Sequence, residues 1–293
     1  MFQVERILVP IDFSTASLNA ARDAGILARH FRSQVTLIHV NEISVLHPLD
    51  GPLGFGIASR DPEVSDCVSG SRKRLNEFAA AELTDVSVCR HVCSGDPARL
   101  IVECECAEQS DLIIMTTHGS GRFRRYLLGS VTAKVLHDAD CPVWTCAHVA
   151  DPNEVVAADI HHVMCAIDFG PKSTEVIRWA AGFAMAMGAK LTVVHAVLEA
   201  PPNLPQRYMF QWRDQAHRGS AERLRALTLD WNVEADVLVV SNGDIPGALS
   251  AAAKEKSADL LVIGRSSAGD KQKKLGSHTF AIICNAACGV VSI

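Results

Sequence analysis

The stretch RILVPIDFS at residues 6–14 returns, little changed, as HHVMCAIDFG at residues 161–170. An apolar run that stops at an aspartate suits a strand buried on both faces of a parallel sheet, with the acid emerging at its carboxyl end. Three further echoes keep the same order. SGDPA from Ser94 is matched by NGDIPGA from Asn242, DLIIMTTH from Asp111 by DLLVIGRSS from Asp259, and LGS at 128–130 by LGS at 275–277. Chance does not preserve several matches in order, so the chain reads as two copies of one α/β unit.

With 293 residues, 48% of them hydrophobic, each copy has enough apolar material for a core of its own. The junction falls near residues 147–160, where AHVADPNEVVAAD is polar at its centre and carries Pro152, as a short exposed linker does. The expected domains are therefore 1–148 and 159–293. A formal net charge of -5 argues against the basic stripe that nucleic acid requires, so no nucleic-acid partner is expected. No apolar run is long enough to cross a bilayer, and MFQVERILVP lacks the basic segment and apolar core of a secretion signal. The expectation is a cytoplasmic protein with no membrane partner.

Ten cysteines invite a metal or disulfide reading, yet no pair has CxxC spacing. Cys89, His91 and Cys93 would share one face of a strand, but strand-spaced neighbours seldom complete a tetrahedron. The cysteines are read as small buried hydrophobes, and no metal site is expected.

Strand and helix signals alternate through both copies. In the first, residues 7–11, 35–40, 86–92, 112–116 and 143–146 read as strands. Between them, Ala20, Ala24, Leu27 and Phe31 recur at helical spacing after Ser14, Thr15 and Ser17, and Pro97 follows the capping Asp96. Residues 41–70, rich in Gly, Pro and Ser, read as an insertion leading into a helix over 71–83. The second copy repeats this order, with an insertion at 198–211 and a helix over 212–227. The expected fold class is α/β: two tandem doubly wound domains, each a five-stranded parallel sheet in three α/β/α layers, of the nucleotide-binding α-hydrolase-like kind. The short final strands at 143–146 and 290–293 are free to pair across the copies or across chains, and pairing within the chain suits the short linker better.

Ligands of open parallel sheets bind outside the carboxyl ends of the strands. Asp12 closes the first strand, Val40 the second, and the turn Thr117-His118-Gly119 follows the fourth. Gly119 and Gly121 can bare backbone N–H groups to a phosphate, and Gly129 with Ser130 stands at a helix start, where unpaired N–H groups and the helix dipole favour an anion. Arg122, Arg124 and Arg125 lie between them. The same residues also suit plain turn and cap geometry, and Asp12 could cap the next helix. Neither a Walker A pattern nor GxGxxG is present. His118 and Asp96 lack any spacing that specifies attack on a phosphoryl group, so no catalytic residue is assigned.

Taken together, these residues resemble the universal stress protein family in its tandem two-domain form, over nearly the whole chain. That family's nucleotide-binding members carry Gly, two residues, Gly, nine residues, then Gly with Ser or Thr, and an Asp ending the first strand. Here the positions read Thr116, two residues, Gly119, nine residues, Gly129, Ser130, with Asp12 in VPIDFS. The resemblance implies that ATP, with or without Mg, or alternatively ADP or AMP, lies beside Ile11, Asp12, Val40, Thr116, His118, Gly119, Gly121, Arg122, Gly129, Ser130 and Val131, with the backbone of Val40 facing the adenine. In the second copy Asp168, Ala196, Gly264, Gly276 and Ser277 match, but Ser267 replaces the middle glycine and the spacer is one residue short. The second domain's loop is therefore expected to be degenerate. The resemblance further implies a stress-response regulator with an unidentified protein partner, a pseudo-dimer of its two domains, a homodimer of chains as an option, and at most slow ATP hydrolysis. A nucleotide-free scaffold is the alternative.

Overall fold

A computed structural model describes residues 2–42, 62–117, 128–146, 160–198, 205–230, 233–241, 243–265 and 276–293, with the backbone alone at 62–67 and 277. The first copy runs β1 (Arg6–Pro10), α1 (Thr15–Phe31), β2 (Gln34–Asn41), α2 (Pro62–Glu77), β3 (Ser87–Ser94), α3 (Pro97–Glu108), β4 (Leu112–Thr116), α4 (Ser130–Asp138) and β5 (Val143–Cys146). The second follows as β6 (His162–Ala166), α5 (Ser173–Met187), β7 (Lys190–Ala196), α6 (Gln206–Asp230), β8 (Asp236–Val240), α7 (Ile245–Glu255), β9 (Leu260–Ile263), α8 (Ser277–Asn285) and β10 (Gly289–Ser292).

Alternation along the strands decides the layers. Ile7 and Val9 enter the core shared with α1 and α5, while Leu8 faces the core shared with α3, α4, α7 and α8. A strand with apolar side chains on both faces must be covered by helices on both, which is the doubly wound arrangement. Each fourth strand is anchored to the first by one carboxylate placed just before it. Asp111 Oδ2 accepts from the N–H groups of Glu5 and Arg6 at 2.8 and 2.9 Å, and Asp259 Oδ2 from those of His161 and His162 at the same distances.

The strand order is β3-β2-β1-β4-β5-β10-β9-β6-β7-β8, a single ten-stranded sheet. Pairing is parallel within each copy, but β5 and β10 run antiparallel, with Trp144 opposite Val291. The joint sheet is therefore mixed, which corrects the expectation of parallel sheets alone. The two copies face each other head to head, and their last strands can only meet in opposite directions. The α/β class and the doubly wound order hold, and nothing in that order marks a hydrolase-like variety.

This seam is also the middle of the core. Trp144 is fully buried, and Thr145 Oγ1 donates to the Val290 carbonyl at 3.1 Å. Phe2 reaches over from the amino terminus onto the second copy, its ring centroid 5.4 Å from that of Trp179 and 5.9 Å from that of Phe183.

Two helices start earlier than their apolar periodicity suggests. Helix α2 begins at Pro62 rather than near 71, and α6 at Gln206 rather than near 212. Proline is preorganised for the first helical position, and Pro205 precedes the start of α6. The start of α6 is exposed or half-buried throughout, so hydrophobic spacing does not announce it. The linker at 147–159, like the centres of both insertions, lies outside the described residues.

Candidate functional site

The carboxyl edge of the sheet is where the first strand of each copy turns into its first helix. Asp12 is exposed, and its Oδ1 accepts from the backbone N–H of Ser14 at 3.0 Å and from the Ser14 hydroxyl at 2.5 Å. Ser14 in turn caps α1, its hydroxyl accepting from Ser17 N–H at 3.1 Å. Asp12 thus orients the cap residue and is not the cap. In the second copy Asp168 Oδ1 accepts from Gly170 N–H at 2.7 Å and from the Ser173 hydroxyl at 3.3 Å. A Cβ on Gly170 would stand 2.8 Å from that carboxylate oxygen, so any larger residue there would displace the Asp168 side chain.

A stacked group supports both turns. Phe13 and Phe169 have φ of 62° and 61°, in the left-handed region. Each ring lies 4.3 Å from a histidine ring, His39 and His195, and under a guanidinium, Arg74 at 4.1 Å and Arg223 at 4.2 Å. His39 Nδ1 donates to the Ile11 carbonyl at 2.7 Å, and His195 Nδ1 to that of Ile167 at 2.8 Å. Sequence reading passed over these histidines. Their signal was the repeat itself, since LIHV and VVHA place one at the same step of the second strand in each copy.

The far side of the edge is formed by the fourth strand and the helix after it. Thr116 ends β4, and its carbonyl accepts from the Thr132 hydroxyl at 2.9 Å; the Thr117 carbonyl accepts from Gly129 N–H at 2.8 Å. These two bonds pin the start of α4 to the end of β4. Gly129 is the N-cap and gives no side-chain cap bond, so the first-turn N–H groups beginning at Ser130 have no side-chain acceptor from the cap. Ser130 is exposed, and Val131 packs against the neighbouring core. Ile11 is buried at 4% exposure, and its N–H donates to the Ile38 carbonyl at 2.8 Å, two residues before Val40. Ile11, Asp12, Val40, Thr116, Gly129, Ser130 and Val131 thus stand at the carboxyl ends of β1, β2 and β4 and the start of α4. His118, Gly119, Gly121 and Arg122 lie outside the described residues, as do Arg124 and Arg125.

Asp96 serves as the N-cap of α3, accepting from Arg99 N–H at 2.9 Å and from Lys134 Nζ at 3.3 Å. The Arg99 N–H, then Lys134, hold its carboxyl below the usual carboxylate range.

At the matching edge of the second copy the described residues enclose a cavity of about 300 Å³. Its floor is apolar, with Ile167, Val176, Leu249 and Ile263, and its rim holds Asp168, Lys172, His195, Arg265 and His278. Ser267 and the shortened spacer at 268–275 lie outside the described residues. Thr279 Oγ1 donates to the Gly264 carbonyl at 3.4 Å, repeating the pin between helix and strand.

Arg265 carries a role with no sequence signal. Its guanidinium crosses to the first copy and donates to the carbonyls of Leu136, Ala139 and Cys141 at 3.2, 2.9 and 2.7 Å. These carbonyls lie in and just after the last turn of α4, where a cation complements the helix dipole. The N–H of Cys141 donates to buried Glu105 at 3.1 Å, so a single residue joins the two charges.

Among the described residues no group of three potential metal ligands gathers. Burial pushes the thiols of Cys146 and Cys165 well above their ordinary range, and that of Cys288 up to about 12. No helix among the described residues is long and apolar enough to cross a membrane.

Comparison with known proteins follows the same division. Residues 3–147 and 159–293 each match the universal stress protein family. A universal stress protein of Mycobacterium tuberculosis is 27% identical over 292 residues, covering 97% of this chain and 95% of its own. One from Methanocaldococcus jannaschii is 31% identical over 141 residues, covering 47% of this chain and 79% of its own. Among solved structures, a universal stress protein from Archaeoglobus fulgidus superimposes with a TM-score of 0.69 at 21% identity, covering 99% of this chain and 96% of that one. At that identity the likeness speaks for the fold alone.

Proposed function

This chain belongs to the universal stress protein family through both of its halves, and from that premise we propose that it is a stress-response regulator whose first domain holds ATP. Asp12 accepts from the ribose or the adenine amino group, Ile11 and the backbone of Val40 border the base, and Thr116 lies beside it. The phosphates rest on the turn of His118, Gly119, Gly121 and Arg122 and on the start of α4 at Gly129, Ser130 and Val131. ADP and AMP fit the same cradle with fewer contacts, and Mg arrives with the phosphates.

One observation carries this reading. The start of α4 is pinned to the end of β4 by the Gly129–Thr117 and Thr132–Thr116 bonds, with the cap position left to glycine. A helix start held rigidly at the carboxyl edge of a parallel sheet, its N–H groups without a capping side chain, is built to meet an anion.

The protein acts as a binder first, with slow hydrolysis at most. Of the polar groups near the phosphates, Asp96 is committed to α3 and Lys134. The partner is met through the insertions, and in the second of them Leu198 and Phe210 are 62% and 79% exposed. Mass spectrometry of the protein released from its native state tests the reading, because a co-purified adenine nucleotide excludes an empty scaffold. Titration with ATP, ADP and AMP, repeated with Gly119→Trp, locates the site. Loss of ATP binding with the fold retained is expected, and unchanged affinity would move the ligand elsewhere.

A further inference from the structure

The two copies repeat the same pins at their carboxyl edges, so positions can be matched one for one. Four residues after the aspartate that ends the first strand, Ala16 is matched by Lys172. One residue after Thr116 and Gly264, Thr117 is matched by Arg265, and two after Gly129 and Gly276, Val131 is matched by His278. Three neutral positions of the first copy are therefore basic in the second, and all three basic residues line the 300 Å³ cavity.

The surroundings of Lys172 leave its charge available. Lys172 has no ion-pair partner among the described residues, and the rim carboxylate of Asp168 is occupied at Oδ1 by Gly170 N–H and the Ser173 hydroxyl. Arg265 lines the cavity but directs its guanidinium to the carbonyls of Leu136, Ala139 and Cys141, with Glu105, Asp140 and Glu175 in electrostatic reach, so its charge is committed to the join. Glu175 is exposed in the first turn of α5 and does not line the cavity. An apolar floor with the Lys172 ammonium and the His278 imidazole along one rim suits a ligand with a flat apolar body and one compact anionic group. The volume lies at the small end of ligand pockets.

Resting on the reading that nucleotides occupy these strand-end sites, we infer that the second copy's cavity takes a nucleoside monophosphate, its phosphate held by Lys172 and His278 instead of by a glycine turn. The first copy meets a polyphosphate with main-chain N–H groups, and the second meets a single phosphate with side-chain charge. The chain thus holds two sites of different preference, one for the triphosphate and one for the monophosphate.

Calorimetry on the full chain carrying Gly119→Trp isolates the second site, with AMP, ATP, adenosine and inorganic phosphate as probes. AMP is expected to bind once per chain and about tenfold or more tighter than adenosine, as charge-assisted hydrogen bonds to a phosphate imply. ATP should bind no better than AMP, and phosphate alone far more weakly than either. Adding Lys172→Ala and His278→Ala together should bring AMP down to the adenosine level, with circular dichroism unchanged. Equal affinities for AMP and adenosine, tighter binding of phosphate than of AMP, or no response to the double replacement would overturn the inference. If the unmodified chain binds ATP and the Gly119→Trp chain binds no AMP, the inference fails and the first-domain reading stands. If no adenine nucleotide binds the unmodified chain, both fall.

Discussion

Replacing Arg265 by alanine tests how the two halves are held together. The guanidinium makes three hydrogen bonds, to the carbonyls of Leu136, Ala139 and Cys141, each no longer than 3.2 Å. Hydrogen bonds from a charged donor contribute roughly 1.5–3 kcal/mol apiece. Withdrawing the cation from water costs several kcal/mol in return, and water entering the vacated space would re-pair part of the exposed carbonyls. The expected net loss is about 2–4 kcal/mol, large for a single substitution. Arg265→Lys should recover less than half of it, because one ammonium cannot span three carbonyls arranged for a planar fork. Chemical denaturation followed by far-UV circular dichroism reads the loss directly. A change below about 0.5 kcal/mol, the usual range for surface positions, would refute the view that this residue clamps the second copy to the end of α4.

Three other outcomes follow from the seam and the core. Gly289→Ala places a Cβ 2.9 Å from Trp144 Nε1, and the indole is fully buried with no room to swing, so a loss of about 1–3 kcal/mol is expected by thermal unfolding; an unchanged melting temperature would show the seam to be loose. Phe2→Ala removes a half-buried ring that packs on Phe31, Trp179 and Phe183, and should cost about 2 kcal/mol, a part of the penalty for a fully buried phenylalanine. Denaturation midpoints should also fall at alkaline pH. Burial first, then Asp259, raises the Cys288 thiol to about 12 from an ordinary 9.0, and burial raises that of Cys165 further. Folded-state values above the unfolded ones mean that this stabilisation is complete below pH 9.0 and fades as pH climbs towards the raised values, because only the unfolded chain releases the protons. A flat profile from pH 8 to 10.5 would show that the thiols are not held neutral by burial.

Local pattern made most elements legible. Residues 112–116 and 143–146, read as strands from their apolar content, are β4 and β5, because a buried parallel strand is specified by side chains within its own span. The early start of α6 was hidden for the opposite reason. Its first turn buries nothing, and only Leu224 and Thr228 are buried along the whole helix. At the carboxyl edge, the places of Asp12 after β1 and of Gly129 at the start of α4 were legible from chemistry and position. His39 and His195 did not, since a histidine within a strand announces nothing until its carbonyl partner, 28 residues away, is brought beside it.

From the sequence by itself came the repeat, the α/β class and the places where each strand yields to a turn, because these depend on residues close together in the chain. Tertiary structure alone decided that β5 and β10 join the copies into one mixed sheet, that Arg265 reaches across the join, and that the basic residues of the second copy surround a cavity. All three depend on groups more than a hundred residues apart meeting in space. Hydrogen bonding and burial act on that proximity and not on sequence spacing.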